Sequence, residues 1–190
     1  MDFPQKLMTR RLLLTRIESA DRADFYRMRS APEVTQAIGA LERDAAAALC
    51  RILAEHWTEH GFGWWTARDP ASGTFMGCGG LRAVMVEGRA ETELAYGFLP
   101  QFWGHGYASE LARVAVAQAF VRLGIREIVS YVLPGNHASR RVVEKVGFVC
   151  ERPFMHARRQ HLLYRLKAGA WCTALQPRGR PRAAAMLQTA

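Results

Sequence analysis

Lysine is scarce in this chain. Of 26 basic residues only Lys6, Lys145 and Lys167 carry an ammonium; the rest are arginine. The four cysteines, Cys50, Cys78, Cys150 and Cys172, stand far apart with no Cys-x-x-Cys, which excludes a zinc-ribbon or dithiol pattern and predicts four reduced thiols. No apolar run approaches the ~20 residues of a membrane-spanning helix, and the opening Met1-Asp-Phe-Pro-Gln-Lys has no signal-peptide pattern. A soluble, cytoplasmic chain is the expectation. There is no Gly-x-x-x-x-Gly-Lys-Ser/Thr and no Gly-x-Gly-x-x-Gly, so neither the P-loop nor the dinucleotide fingerprint applies. His56 and His60 form an i,i+4 pair without a third ligand, which reads as solvated helix surface, and no metal is expected. What is present is 190 residues, enough for one domain with its own core, and a net charge of +9 that suits an anionic ligand.

Periodicity and turn chemistry divide the chain. Residues 10–17 read as a first strand. Ser19 caps a helix with Asp21 and Asp24 in its first turn; it reaches Arg29, and Pro32 ends it. A second helix, rich in alanine and leucine, runs from 41 or 42 to His60 and stops at Gly61. Residues 63–68 and 75–86, joined by a turn at 69–73, form a hairpin, and a turn at 87–89 leads into a strand over 91–99. A helix over 108–123 stops at Gly124, and a strand follows at 127–132. A short helix at 138–146 closes on Gly147, Phe148 opens another strand, and the last strand spans 158–166. The order βααβββαβαββ implies an α/β or α+β fold, a mixed sheet with helices on both faces. In it, 91–99, the helix 108–123 and 128–132 make one parallel βαβ unit.

Between that strand, closed by Pro100, and that helix lies Gln101-Phe-Trp-Gly-His-Gly-Tyr-Ala108. The first N–H groups of a helix lack internal partners, and the dipole adds about half a positive charge there, so a glycine loop entering a helix suits an anion. Glycine lets a phosphate approach donors that a side chain would screen, although paired glycines also serve plain turns. The pattern Gln-x-x-Gly-x-Gly-aromatic-Ala resembles the pyrophosphate loop of the GNAT superfamily of acetyl-coenzyme-A-dependent N-acetyltransferases. Asn136-His-Ala-Ser139-Arg-Arg141-Val-Val-Glu144-Lys145-Val-Gly147-Phe148 is similar to the N-x-x-S-x-R-x-x-E-K-x-G-F run of its RimJ/RimL branch, the ribosomal-protein N-terminal acetyltransferases. Glu93-Leu-Ala-Tyr96 is similar to that branch's E-L/I-G-Y segment, with Ala95 in place of glycine. The segment from Arg10 looks like the branch's opening strand. The resemblance thus covers residues 9–167, leaving 1–8 as an extension and 168–190 as a basic tail, and it implies a GNAT-like, mostly antiparallel central sheet.

The resemblance also implies roles. Gly104, His105, Gly106, Tyr107 and Ala108 would present backbone N–H groups to the coenzyme A pyrophosphate, with Gln101 shaping the loop. Phe98 and Leu99 would lend backbone groups to the pantetheine arm, an N–H near Leu99 would polarise the thioester carbonyl, and Asn136 and Arg141 would help bind the coenzyme. The plainer alternatives are core packing for Phe98 and Leu99, and a turn and helix cap for Asn136. Glu93 is the candidate general base, or else a salt-bridged structural glutamate. The tyrosine that many GNAT enzymes use as acid falls four residues before the Gly-Phe glycine, and here that position is Val143. Ser139 is the branch's substitute, with Tyr131, Tyr107 and His105 as alternatives. Trp57, Trp64 and Trp65 lie where the family shapes its acceptor groove, or else pack in the core.

With no cysteine in the expected site, the resemblance implies direct amine attack in a ternary complex with acetyl-CoA as co-substrate. The acceptor it implies first is a protein N-terminal α-amine, and second a small amine such as a polyamine or aminoglycoside. An acyl-CoA sensor acting on nucleic acid is the alternative of a different class. The branch often forms homodimers. In the tail, Pro177-Arg-Gly-Arg-Pro181 is similar to the AT-hook core that enters the DNA minor groove, or else is a solvated end.

Overall fold

The computed structural model describes residues 3–175. Eight strands form one sheet in the order β1-β2-β3-β4-β5-β6-β8-β7. Their ranges are β1 Lys6–Met8, β2 Leu13–Arg16, β3 Trp64–Arg68, β4 Phe75–Val86, β5 Arg89–Phe98, β6 Glu127–Val132, β7 Val149–His156 and β8 Arg159–Lys167. Neighbours pair antiparallel except β5 with β6, the parallel pair joined by helix α4, Tyr107–Val121. The other helices are α1 Arg22–Arg29, α2 Pro32–Ile38, α3 Arg43–His60, α5 His137–Val146 and α6 Ala168–Leu175. α1 and α3 pack on β4 and β3, and α4 and α5 on β4, β5 and β6, so helices lie on both sides of the sheet as expected.

Three segments depart from the sequence reading. The stretch 1–8 contributes β1, which pairs with β2 through a turn over 9–12. There Thr9 N donates to the Leu12 carbonyl and Leu12 N to the Thr9 hydroxyl, both at 2.9 Å, so Arg10 and Arg11 sit in the turn rather than in a strand. Pro32 both ends one helix and starts α2 at its first position, where the missing N–H would have had no partner in any case. Residues 168–175 form α6, whose Trp171 meets Phe120 edge-on at 5.4 Å. The Pro177–Pro181 segment lies outside the described residues.

Two hairpin turns fix register beside the site. β4 and β5 turn at Glu87-Gly88 (φ 48° and 81°), which pairs Val86 with Arg89 and brings Arg82 opposite Glu93. β7 and β8 turn at Ala157-Arg158 (φ 48° and 59°), pairing His156 with Arg159. Both use the left-handed region that suits the twist of a two-residue hairpin, but Ala-Arg carries side chains where Asn-Gly is the relaxed choice.

α3 buries Ala46, Cys50, Leu53, His56 and Trp57 on one stripe. His56 is therefore not solvated surface; it is 8% exposed. Ala83 N donates to its Nε2 at 2.8 Å and its Nδ1 lies 2.8 Å from the Phe62 carbonyl, so the proton sits on Nδ1 and the ring is neutral. Burial holds its pKa below the ordinary histidine value. Trp57 and Trp65 are core residues, Trp65 stacking on Phe3 at 4.7 Å.

Candidate active site

β5 and β6 share a single bridge, Glu93 opposite Val129, and part beyond it. A cleft of about 470 Å³ opens there, walled by the end of β5, the loop into α4, α5, and Val34, Ala37 and Ile38 of α2. Gly104 and Gly106 have φ of 80° and 82°, where glycine alone is unstrained, and Gly106 is the N-cap of α4. Tyr107, Ala108 and Ser109 follow in the first turn and line the cleft, where their N–H groups have no helical partner. A Cβ on Gly104 would meet nothing within 4 Å, so the space in front of the loop is free for a ligand. Arg11 braces this loop from the β1–β2 turn. Its Nη1 donates to the His105 carbonyl at 2.8 Å, its Nε to Glu110 at 2.8 Å, and its guanidinium lies 4.6 Å over the Tyr107 ring. Glu110, though partly desolvated, is held below the usual carboxylate range by the Thr9 hydroxyl and by Arg11.

On α5, Asn136 Oδ1 accepts from Ser139 N at 3.0 Å, which caps the helix and leaves the amide N–H₂ for a ligand. Arg141 and Lys145, one turn apart, add two cations to the cleft wall.

A second cavity of about 440 Å³ opens at the same gap and shares Ile38, Tyr96, Gly97, Asn136 and Ser139 with the first. The Tyr96 hydroxyl lies 3.1 Å from both the Ser139 carbonyl and its Oγ, and burial pushes the phenol well up. Glu93, 3% exposed, is ion-paired with Arg82, which reaches the Tyr131 hydroxyl at 3.4 Å. Burial pushes the Glu93 carboxyl up, and Arg82, then Tyr131 and His161, draw it only partway back. Burial, then the Glu93 charge, raise the Tyr131 phenol to about 12. His156 and His161 complete the wall, and burial followed by the charge of His161 holds His156 low.

Residues 11–149 match the family model of the acetyltransferase (GNAT) domain. The chain belongs to the GNAT family. It is similar to YkkB, an uncharacterized protein of Bacillus subtilis (strain 168), at 31% identity over 150 residues, 77% of this chain and 87% of that one. Ribosomal-protein-S5-alanine acetyltransferase from Vibrio fischeri superposes with a TM-score of 0.71 at 15% identity, covering 87% of this chain and 98% of the other. Aminoglycoside acetyltransferase AAC(6')-Ib, solved in complex with coenzyme A, gives 0.69 at 14%, covering 84% and 96%. At those identities the two structures speak for the fold alone. The protein is thus an acyltransferase of GNAT type, and the GNAT fold uses acetyl-CoA as co-substrate.

The loop cleft fits that co-substrate: it offers backbone donors at a helix N-terminus, open space before the glycines, and two flanking cations. Of the residues the sequence singled out, Phe98, Gly104, Gly106, Tyr107, Ala108, Asn136, Ser139 and Arg141 line it. Gln101 is exposed and His105 turns its Nδ1 to the Trp103 carbonyl at 2.7 Å; neither side chain is on the cleft wall. The oxyanion donor expected near Leu99 cannot be the N–H of Leu99 itself. Its N–H goes to the Met76 carbonyl at 2.9 Å, and by antiparallel alternation the N–H groups of Phe98 and Tyr96 face away from β4, toward the gap. Val143, the position of the absent tyrosine, is fully buried.

Of Trp57, Trp64 and Trp65, Trp64 alone lines a cavity, and Trp103 lies on the wall of the other. Sequence reasoning passed over Tyr96 as a hydroxyl, and also Ser109, Arg11 and Arg82, and it gave His156 and His161 no role for want of metal-ligand spacing. The turn at Glu87-Gly88 was the available signal for Arg82, because it sets the Arg82–Glu93 register. Among the described residues no cysteine lines either cavity, no cluster of metal-ligating side chains is found, and no helix is long and apolar enough to cross a membrane.

Proposed function

We propose that this enzyme acetylates the N-terminal α-amine of a polypeptide, in the manner of the RimJ/RimL branch, by direct amine attack on acetyl-CoA in a ternary complex. The observation that carries it is the meeting of the two cavities at Tyr96, Gly97 and Ser139, with Glu93 on the second alone. Acetyl-CoA supplies the thioester in the loop cleft. Glu93 takes the amine proton, directly or through a water. The gap-facing N–H of Phe98 supports the developing oxyanion. Tyr96 stays protonated because its pKa is raised, and it gives a proton to the departing thiolate while Ser139 orients it. This replaces the acid lost at Val143.

The base is a carboxylate already paired with a guanidinium. It suits an α-amine, of pKa ~8 and roughly a tenth neutral at pH 7, better than an alkyl ammonium near ~10.4. We place the reaction in the cytoplasm, where the unpaired cysteines stay reduced. The test is thiol release from acetyl-CoA with free peptides, N-blocked peptides, spermidine and an aminoglycoside. Turnover on free N-termini is expected, and turnover confined to the polyamine or aminoglycoside overturns the acceptor. Tyr96→Phe should keep coenzyme A affinity and lower kcat by about 10²- to 10⁴-fold. An unchanged kcat would remove the tyrosine from the chemistry.

A further inference from the structure

The acceptor cavity holds unbalanced positive charge. Arg29 of α1, Arg82 of β4 and Arg159 of β8 line it, whereas the one carboxylate on its wall among the described residues is Glu93, which Arg82 occupies. Among the described residues, Arg29 and Arg159 find only backbone acceptors. Arg29 Nη2 lies 3.5 Å from the Gly39 carbonyl, and Arg159 Nη1 donates to the Ile38 carbonyl at 3.2 Å. Arg29 Nε is buried without a partner, and so is Trp64 Nε1 on the same cavity. Desolvation draws the Arg29 pKa below the usual arginine value. A half-buried guanidinium whose Nε is buried and idle is costly unless an anion or other acceptor completes it.

The two arginines converge on the C-terminal end of α2, Ile38-Gly39, and Ile38 lines both cavities, so an anion held there sits beside the proposed reacting centre. The strained Ala157-Arg158 turn projects Arg159 into this place.

We propose that the acceptor carries an acidic group close to its amine, and that Arg29 and Arg159 hold it. The inference rests on the acetyl-transfer reading and narrows its acceptor to carboxylate-bearing amines. The carboxylate comes from an acidic side chain in the first positions of a peptide or from the α-carboxylate of a free amino acid. Polycations are disfavoured by the same charges.

The test compares peptides of one length bearing Asp, Asn or Lys at the second position, and amino acids with free or amidated carboxylates. Turnover is read by thiol release, and binding by calorimetry on the protein saturated with coenzyme A. The acidic acceptor should lead the neutral one by about ten- to a hundredfold, the range of charge-assisted hydrogen bonds. Arg159 is exposed, so its variants should fold. Arg159→Gln should remove about tenfold from the acidic acceptor alone, and Arg159→Glu should turn the preference toward lysine. Arg29→Gln should act likewise, with its melting temperature as the control for folding. Equal use and binding of the three peptides, or an Arg159→Glu enzyme with the wild-type preference, overturns the proposal. Tight binding of acidic peptides without turnover would uphold it and sink the acetylation reading; turnover that ignores acceptor charge does the reverse. A lead of free amino acids over peptides would assign the carboxylate to the α-position.

Discussion

The two cavities that meet at Tyr96 are built from different materials. The loop cleft, the proposed coenzyme site, offers mainly backbone: a helix N-terminus, two left-handed glycines and a strand edge, from stretches around 96–109 and 136–145, with α2 closing one side through Val34, Ala37 and Ile38. The proposed acceptor cavity relies on side chains, contributed by α1, α2, α3, β3, β4, β5, β6, α5 and the β7–β8 hairpin. Backbone donors recognise what every reaction of the family has in common and cannot be substituted away. Side chains can be exchanged one at a time, so acceptor preference can drift while the coenzyme site stands still.

The sharpest way to break the comparison is at Gly104. Gly104→Glu adds a carboxylate and a strained φ where a phosphate should sit, and coenzyme A affinity measured by calorimetry should fall by about a hundredfold or more. Since nothing lies within 4 Å of the new Cβ, the melting temperature should drop by only a few degrees. A variant that binds normally would mean that the cleft is not backbone-built.

The second probe falls on the acceptor side, where His56 ties α3 to Ala83, next to Arg82. Its neutral ring is favoured in the folded state, so the unfolded chain takes up the proton first. Stability should be full above pH ~6.5 and fall as the pH drops below it. Urea midpoints against pH would show this, and His56→Gln should flatten the slope, leaving the share due to His156.

The smallest effect is at the β7–β8 turn. Replacing Ala157-Arg158 with Asn-Gly relieves two left-handed side chains and should stabilise by about 1 kcal/mol, or roughly 2–4 °C in Tm. Coenzyme affinity should be untouched, because the turn borders only the acceptor cavity.

The same division explains what could be read in the chain beforehand. The sheet, its parallel pair and the glycine loop before α4 were legible because their signals are local: alternation, a glycine stop, a loop entering a helix. The family's spacing then singled out Ser139 and Asn136, which the fold brings to the cleft wall. Arg11 was not legible, since Glu110 lies 99 residues away and only folding brings them together. Tyr96 was visible as part of a motif but not as a hydroxyl, because its meeting with Ser139 depends on how α5 lies against β5. Arg29 and Arg159 give no pattern at all in a chain so rich in arginine. The histidine pair misled because its i,i+4 spacing says which face of a helix it occupies and not which way that face points.

The lone rung between β5 and β6 has a mechanical consequence. The single sheet is held across its middle by one stitch, and the tear that follows opens onto both cavities, where the proposed reaction would bring its two substrates. A molecule that hydrogen-bonds along the open edge acts as part of the fold, adding RT ln(1 + [L]/Kd) to its resistance to unfolding. The enzyme should be softest when empty, stiffen when loaded, and slacken again as product leaves, with its compliance concentrated on the seam where the acetyl group changes hands.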